Sequence, residues 1–140
     1  MTNQAHAPTS HVATLLMVVV LLVTPGCTLV QLLIPPENLK VLPPTEFAAA
    51  ITKEDVLLVD VHTPEQAHIK GTDHFIPYDE VGQHLASFPA RRSTPIYLYC
   101  KSGHMVNVSA RTLFEHGYTN VYNLGGGTEA WVEAGFTVEK

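Results

Sequence analysis

The chain has 140 residues, enough for one domain once an apolar N-terminal stretch is set aside. Thirteen acidic and eight basic residues give a net charge of −5 and are scattered without blocks, so there is no basic stripe to track a nucleic-acid backbone. The two cysteines, Cys27 and Cys100, lie on opposite sides of the boundary between that stretch and the rest, which excludes a disulfide framework and a cysteine-built zinc site. Eight histidines form no HExxH or His-x-His pair, and His62, His68 and His74 recur every six residues, which is no ligand spacing, so no metal site is expected.

Residues Val12 to Ile34 run for 23 positions without Asp, Glu, Lys or Arg. A helix of that length, at about 1.5 Å per residue, spans a hydrocarbon core of roughly 30 Å. The apolar stretch Val12 to Val23 also has the length of a signal-peptide core. Thr24-Pro25-Gly26-Cys27 resembles a bacterial lipoprotein cleavage box with Cys27 as the lipid-bearing residue, although Thr24 stands where such boxes usually carry Leu. Met1 to His11 holds no Lys or Arg, unlike the start of a signal peptide, and the first Lys is Lys40, beyond the apolar run, where the positive-inside rule assigns the cytoplasm. Residues 1–34 are therefore expected to be a signal peptide or membrane anchor, by uncleaved helix or by lipid. The expected location is membrane-anchored or exported, the latter on the periplasmic side. Pro35-Pro36 and Pro43-Pro44 read 35–44 as a stiff Pro-rich tether, leaving 45–140 for the domain.

Thr45 is a candidate cap for a short helix over Glu46 to Ile51, with Phe47, Ala50 and Ile51 at helical spacing. Val56-Leu-Leu-Val-Asp-Val61 is a continuous apolar run of strand length, the pattern of a strand buried on both faces. Ile96 to Cys100 is a second such run and Val121 to Leu124 a third. Between these two, Val106, Ala110, Leu113 and Phe114 fall on one helical face, and Gly117 follows as a helix terminator. A strand–helix–strand crossover of this kind makes an α/β parallel sheet, whose sites lie at the carboxyl ends of the strands. Asp60 and Cys100 stand at two such ends.

A cysteine on an apolar strand is by itself a small core residue. Cys100 differs because Lys101-Ser-Gly-His-Met105 follows it directly and a helix then begins, so the thiol sits in a strand–loop–helix turn under a helix N-terminus. Backbone N–H groups converge in such a turn and, with the helix dipole, favour thiolate over thiol. Gly103 allows close backbone approach, while Ser102 and His104 mark an open loop. Lys101 can offer charge to an anionic substrate, and His104 a donor beside the sulfur. Asp60 reads as an organiser of its strand end through hydrogen bonds, and Trp131 as a core anchor.

Six pieces in order now resemble the rhodanese family: Leu57-Leu-Val-Asp-Val-His-Thr-Pro-Glu65, His68-Ile-Lys-Gly-Thr72, Ile76-Pro77, Tyr99-Cys-Lys-Ser-Gly103, Gly117-Tyr-Thr-Asn-Val-Tyr-Asn-Leu124 and Gly126-Gly-Thr-Glu-Ala-Trp131. The resemblance implies a single rhodanese-like domain, a five-stranded parallel sheet flanked by helices. It further implies a sulfurtransferase in which Cys100 takes a sulfane sulfur from thiosulfate or a persulfide and passes it to a thiol or to cyanide, without a cofactor. Lys101, Ser102, Gly103, His104, Met105 and Val106 would form the substrate loop, supported by Asp60 and His62. Three departures stand out: His62 replaces an Arg common after Asp-Val, Met105 and Val106 replace a polar pair, and Glu65 to His68 is short. A non-catalytic binding or sulfur-carrier module is the alternative. A phosphatase or arsenate reductase with the same nest would need an Arg six residues after the Cys, where this chain has Val106.

Overall fold

The computed structural model describes Met1 and residues 28–140. The stretch Val12 to Val23, the Thr24 to Cys27 box and the expectations built on them lie outside the described residues. In chain order the elements are α1 (Thr28–Leu33), β1 (Lys40–Leu42), α2 (Pro44–Ile51), β2 (Leu57–Asp60), β3 (His68–Ile69), β4 (His74–Phe75), two 3-10 turns (Val81–Gln83 and Leu85–Ser87), β5 (Ile96–Tyr99), α3 (Met105–Glu115), β6 (Val121–Leu124), α4 (Gly127–Glu133) and β7 (Val138–Glu139).

The three apolar runs become β2, β5 and β6, the three interior strands of a five-stranded sheet ordered β1-β6-β5-β2-β4. All four pairings are parallel, as the resemblance implied. Both faces of the sheet are covered, which is why these runs do not alternate with polar residues. Side chains of β5 divide by the two-residue period. Ile96, Leu98 and Cys100 enter a cluster with Val59, Val61, Val106, Ala110 and Leu113, on the side of α3. Tyr97 and Tyr99 enter the opposite cluster with Phe47, Leu124 and Trp131, on the side of α2 and α4. Trp131 is the anchor expected of it: its ring stacks on Phe136 at 4.3 Å and its Nε1–H donates to the Thr137 carbonyl at 3.0 Å.

Two boundaries differ from the sequence reading. The stretch 35–44 is not only a tether, because Lys40–Leu42 forms the edge strand β1, paired with Tyr122 to Leu124. Three residues between two proline pairs show no periodicity, and their strand character comes from the free edge of β6. Helix α2 begins at Pro44, after an extended Pro43 with ψ 158°, so Thr45 lies inside the helix and does not cap it. The fixed φ of Pro44 suits the first helical turn, where its missing N–H costs nothing. Helix α3 follows the expected apolar face and ends as expected: Gly117 N–H reaches Phe114 O at 3.0 Å and Tyr118 N–H reaches Leu113 O at 3.1 Å, the Schellman pair.

Helix α1 lies against α3. Asn107 Nδ2 donates to Leu32 O at 2.6 Å and Arg111 to Ile34 O, covering carbonyls that a helix end leaves unpaired. Among the described residues no helix is long and apolar enough to cross a membrane.

The connectivity positions the site. From β2 the chain moves to β4 at one edge, whereas from β5 it moves to β6 on the other side. The adjacent β2 and β5 therefore frame a switch point, where crossovers leave in opposite directions and open a crevice beyond the strand ends. Asp60 ends β2 in register with Tyr99 of β5, and Cys100 is the next residue.

Candidate active site at the β2 and β5 strand ends

Cys100 is 1% exposed, and its Sγ accepts the Gly103 N–H at 3.0 Å. Gly103 has φ +92°, a conformation that side-chain-bearing residues avoid, and this left-handed turn aims its amide back at the sulfur. A convergence of several amides was expected; among the described residues Gly103 supplies the one N–H hydrogen-bonded to Sγ. The start of α3 adds its dipole, with the Asn107 N–H closing a first turn on His104 O at 3.1 Å.

The loop is clasped from the other side by α4. Thr128 N–H donates to Cys100 O at 2.9 Å and Glu129 N–H to Lys101 O at 3.1 Å. Two orphan donors of a helix N-terminus are thus satisfied by loop carbonyls, which holds those carbonyls away from the loop interior. This approach needs Gly127: a Cβ there would lie 2.3 Å from Cys100 O and 2.4 Å from the Lys101 carbonyl carbon. From β6, Asn123 Nδ2 donates to Gly103 O at 3.0 Å.

Asp60 is fully buried and accepts hydrogen bonds on both carboxylate oxygens. The His62 N–H donates to Oδ1 at 2.9 Å, Gln66 Nε2 donates to Oδ2 at 3.2 Å, and His68 Nδ1 stands 2.9 Å from Oδ2. The His62 ring turns elsewhere, with Nδ1 2.7 Å from Pro64 O, so its imidazole is not the basic partner of Asp60. That partner is His68. Its other nitrogen lies 3.1 Å from Glu65 Oε1, so the ring bridges two carboxylates and needs both N–H groups to satisfy both. Burial alone would lower the His68 pKa, but hydrogen bonds to Glu65 and Asp60, with the charges of the same two groups, outweigh it and raise it above 6.5. Gln66 accepts from Thr128 Oγ1 at 3.4 Å and so links this cluster to the α4 clasp.

The remaining loop residues separate into two groups. Lys101, Ser102 and His104 are exposed: Lys101 Nζ lies 3.7 Å from Glu129 Oε1, and Ser102 Oγ lies 3.0 Å from His104 Nδ1. Met105 packs against the α3-side core, and Val106 is fully buried within it. Beside Lys101 a groove of about 470 Å³ runs along α4, lined in part by Gln66, Thr128, Glu129 and Val132. Gln66, His68, Asn123 and Thr128 were given no role at the site by the sequence reading, although the last three stand in the family-like pieces. For Asn123 there was a signal, an amide on an otherwise apolar strand; for the others, the partners lie too far along the chain for any spacing rule.

The rhodanese-like domain family matches residues 43–134. The chain is 35% identical over 96 residues to the uncharacterized protein YqhL of Bacillus subtilis, covering 66% of this chain and 72% of that protein. It is 34% identical over 71 residues to the thiosulfate sulfurtransferase PspE of Escherichia coli, covering 49% and 67% respectively. A thiosulfate sulfurtransferase structure from Pseudomonas aeruginosa superposes with a TM-score of 0.61 at 22% identity, over 72% of this chain and 19% of that one, a likeness of fold. The parallel sheet, the cysteine loop at its switch point and the match across most of the described chain agree: this protein belongs to the rhodanese-like domain family.

Proposed function

We infer that the domain is a sulfurtransferase with Cys100 as its nucleophile. The observation that carries the reading is the Gly103 N–H held 3.0 Å from Cys100 Sγ in a loop clasped by α4. Such a donor stabilises the thiolate and then the persulfide anion. The thiolate attacks the outer sulfur of thiosulfate, or the sulfane sulfur of an organic persulfide. A new S–S bond forms to Sγ, the old bond breaks, and sulfite or a thiolate leaves with its electron pair. A second thiolate or cyanide then attacks the terminal sulfur, the bond to Sγ breaks, and the Cys100 thiolate returns. Electrons balance among the sulfurs, so the reaction needs no cofactor. Relatives named thiosulfate sulfurtransferase support the same class.

Phosphatase chemistry lacks its clamp in this loop, since Val106 is buried in the core and Arg111 donates to the Ile34 carbonyl. A pure sulfur carrier would load but not turn over. The test is intact-mass measurement of a fragment beginning at Leu39 after incubation with thiosulfate. The expected result is one added sulfur on Cys100 that cyanide or a small thiol removes, with repeated turnover. Equal loading of Cys100→Ser, or no loading of the unaltered domain by thiosulfate or a persulfide, rejects the reading. We also propose that residues 1–34 attach the domain to a membrane, on the strength of the uncharged run from Val12 to Ile34.

A further inference from the structure

Asn123 is a buried amide in an apolar layer. Its side chain shares a face of β6 with Val121, which enters the same cluster as Ile96, Leu98 and Cys100. Asn123 is 5% exposed, and its Oδ1 has no hydrogen-bond partner among the described residues. Leaving an acceptor unpaired in such surroundings is unfavourable, and an aliphatic side chain would avoid it. What the amide contributes is its donor, since Nδ2 lies 3.0 Å from Gly103 O. The reverse orientation would set two oxygens against each other, so the network dictates the assignment.

Gly103 is also the residue whose N–H meets Cys100 Sγ at 3.0 Å. Its carbonyl is therefore held from β6 while its amide is aimed at the nucleophile, and the +92° φ between them is the torsion that relaxation of the loop would change. An ideal Cβ on Gly103 would lie 3.5 Å from the same Nδ2, which shows how closely the strand end abuts the turn.

We propose that Asn123 is a positioning residue that keeps the Gly103 amide on Cys100 and so favours the thiolate and persulfide anions. The role rests on the sulfurtransferase reading for its purpose. Its test can be separated from that reading, because alkylation of Cys100 by iodoacetamide as a function of pH reports thiolate formation without any sulfur donor. Asn123→Leu removes the donor and the orphan acceptor at similar size. The expected result is an alkylation profile moved to higher pH, with thiolate formation about tenfold less favourable, the scale of one hydrogen bond to an ion, and with thermal stability equal to or above the parent's. Thiosulfate loading should slow by a similar factor. Asn123→Ala, which adds no branching, provides the same comparison if the Leu variant misfolds. Unchanged alkylation profiles in a folded variant overturn the proposal. So does failure of both variants to fold, which would make Asn123 a fold residue only. If the parent alkylates normally but never loads sulfur, the sulfurtransferase reading fails and the positioning result still stands or falls by its own profile.

Discussion

At the scale of single residues, the site depends on how a buried carboxylate is neutralised. Asp60 has no Arg or Lys within salt-bridge distance among the described residues; its basic partner is His68, which Glu65 also engages. Since the folded-state pKa of His68 is raised above 6.5, the imidazole holds its proton more tightly in the folded state than in the unfolded chain. Its contribution is fully present below the unfolded value and is lost as pH rises through the folded value. Thermal melts of the domain from about pH 6 to 8.5 should show Tm falling with pH, and His68→Gln should flatten that slope while lowering Tm mainly at the acidic end. A parallel slope in both proteins would place the titration elsewhere. At this scale the position of Asp60 at a strand end was legible, but His68 was hidden among evenly spaced histidines. Only the turn after β2 brings residue 68 back beneath residue 60.

At the scale of elements, the loop after β5 is shaped by what packs on it. Two amides of α4 hold Cys100 O and Lys101 O, and the contact depends on bare backbone at Gly127, which has φ +61°. Gly127→Ala should therefore cost at least about 2 kcal/mol, combining a left-handed side-chain-bearing residue with a Cβ driven into two loop carbonyl groups. Urea unfolding measures that loss, and the rate of Cys100 alkylation should change with it because the clasp is displaced. A variant as stable as the parent would show that α4 does not press on the loop. The Gly-Gly turn before Trp131 was visible in the sequence, as were the α3 face and its glycine terminator. The two-residue strands β3, β4 and β7 were not, because a period cannot be read from two positions and their pairing is decided by neighbours.

For the whole molecule, the apolar N-terminal run and the domain meet where Asn107 and Arg111 donate to Leu32 O and Ile34 O. If residues 1–34 attach the chain to a bilayer as proposed, full-length protein should remain in the membrane fraction through high salt, since apolar burial is not screened. Cys27→Ser then separates the anchors: processing and lipid labelling vanish if Cys27 carries lipid, whereas a chain anchored by an uncleaved helix stays full length and membrane-bound with either residue. Full-length protein recovered in the soluble fraction, with Met1 to Ile34 still attached, would reject both. The sequence by itself determined the α/β class, the three interior strands, the helix after Cys100 and the place of that cysteine at a strand end. Continuous apolar runs and a cysteine before a glycine-containing turn are local consequences of burial and backbone sterics. The tertiary structure alone decided which groups complete the site: Gly103 over the sulfur, Asn123 behind Gly103, α4 under the loop carbonyls, and His68 rather than His62 on Asp60. Each of those contacts joins residues set side by side by chain reversal and strand order, and no spacing along the chain encodes which of many compatible polar groups will arrive there.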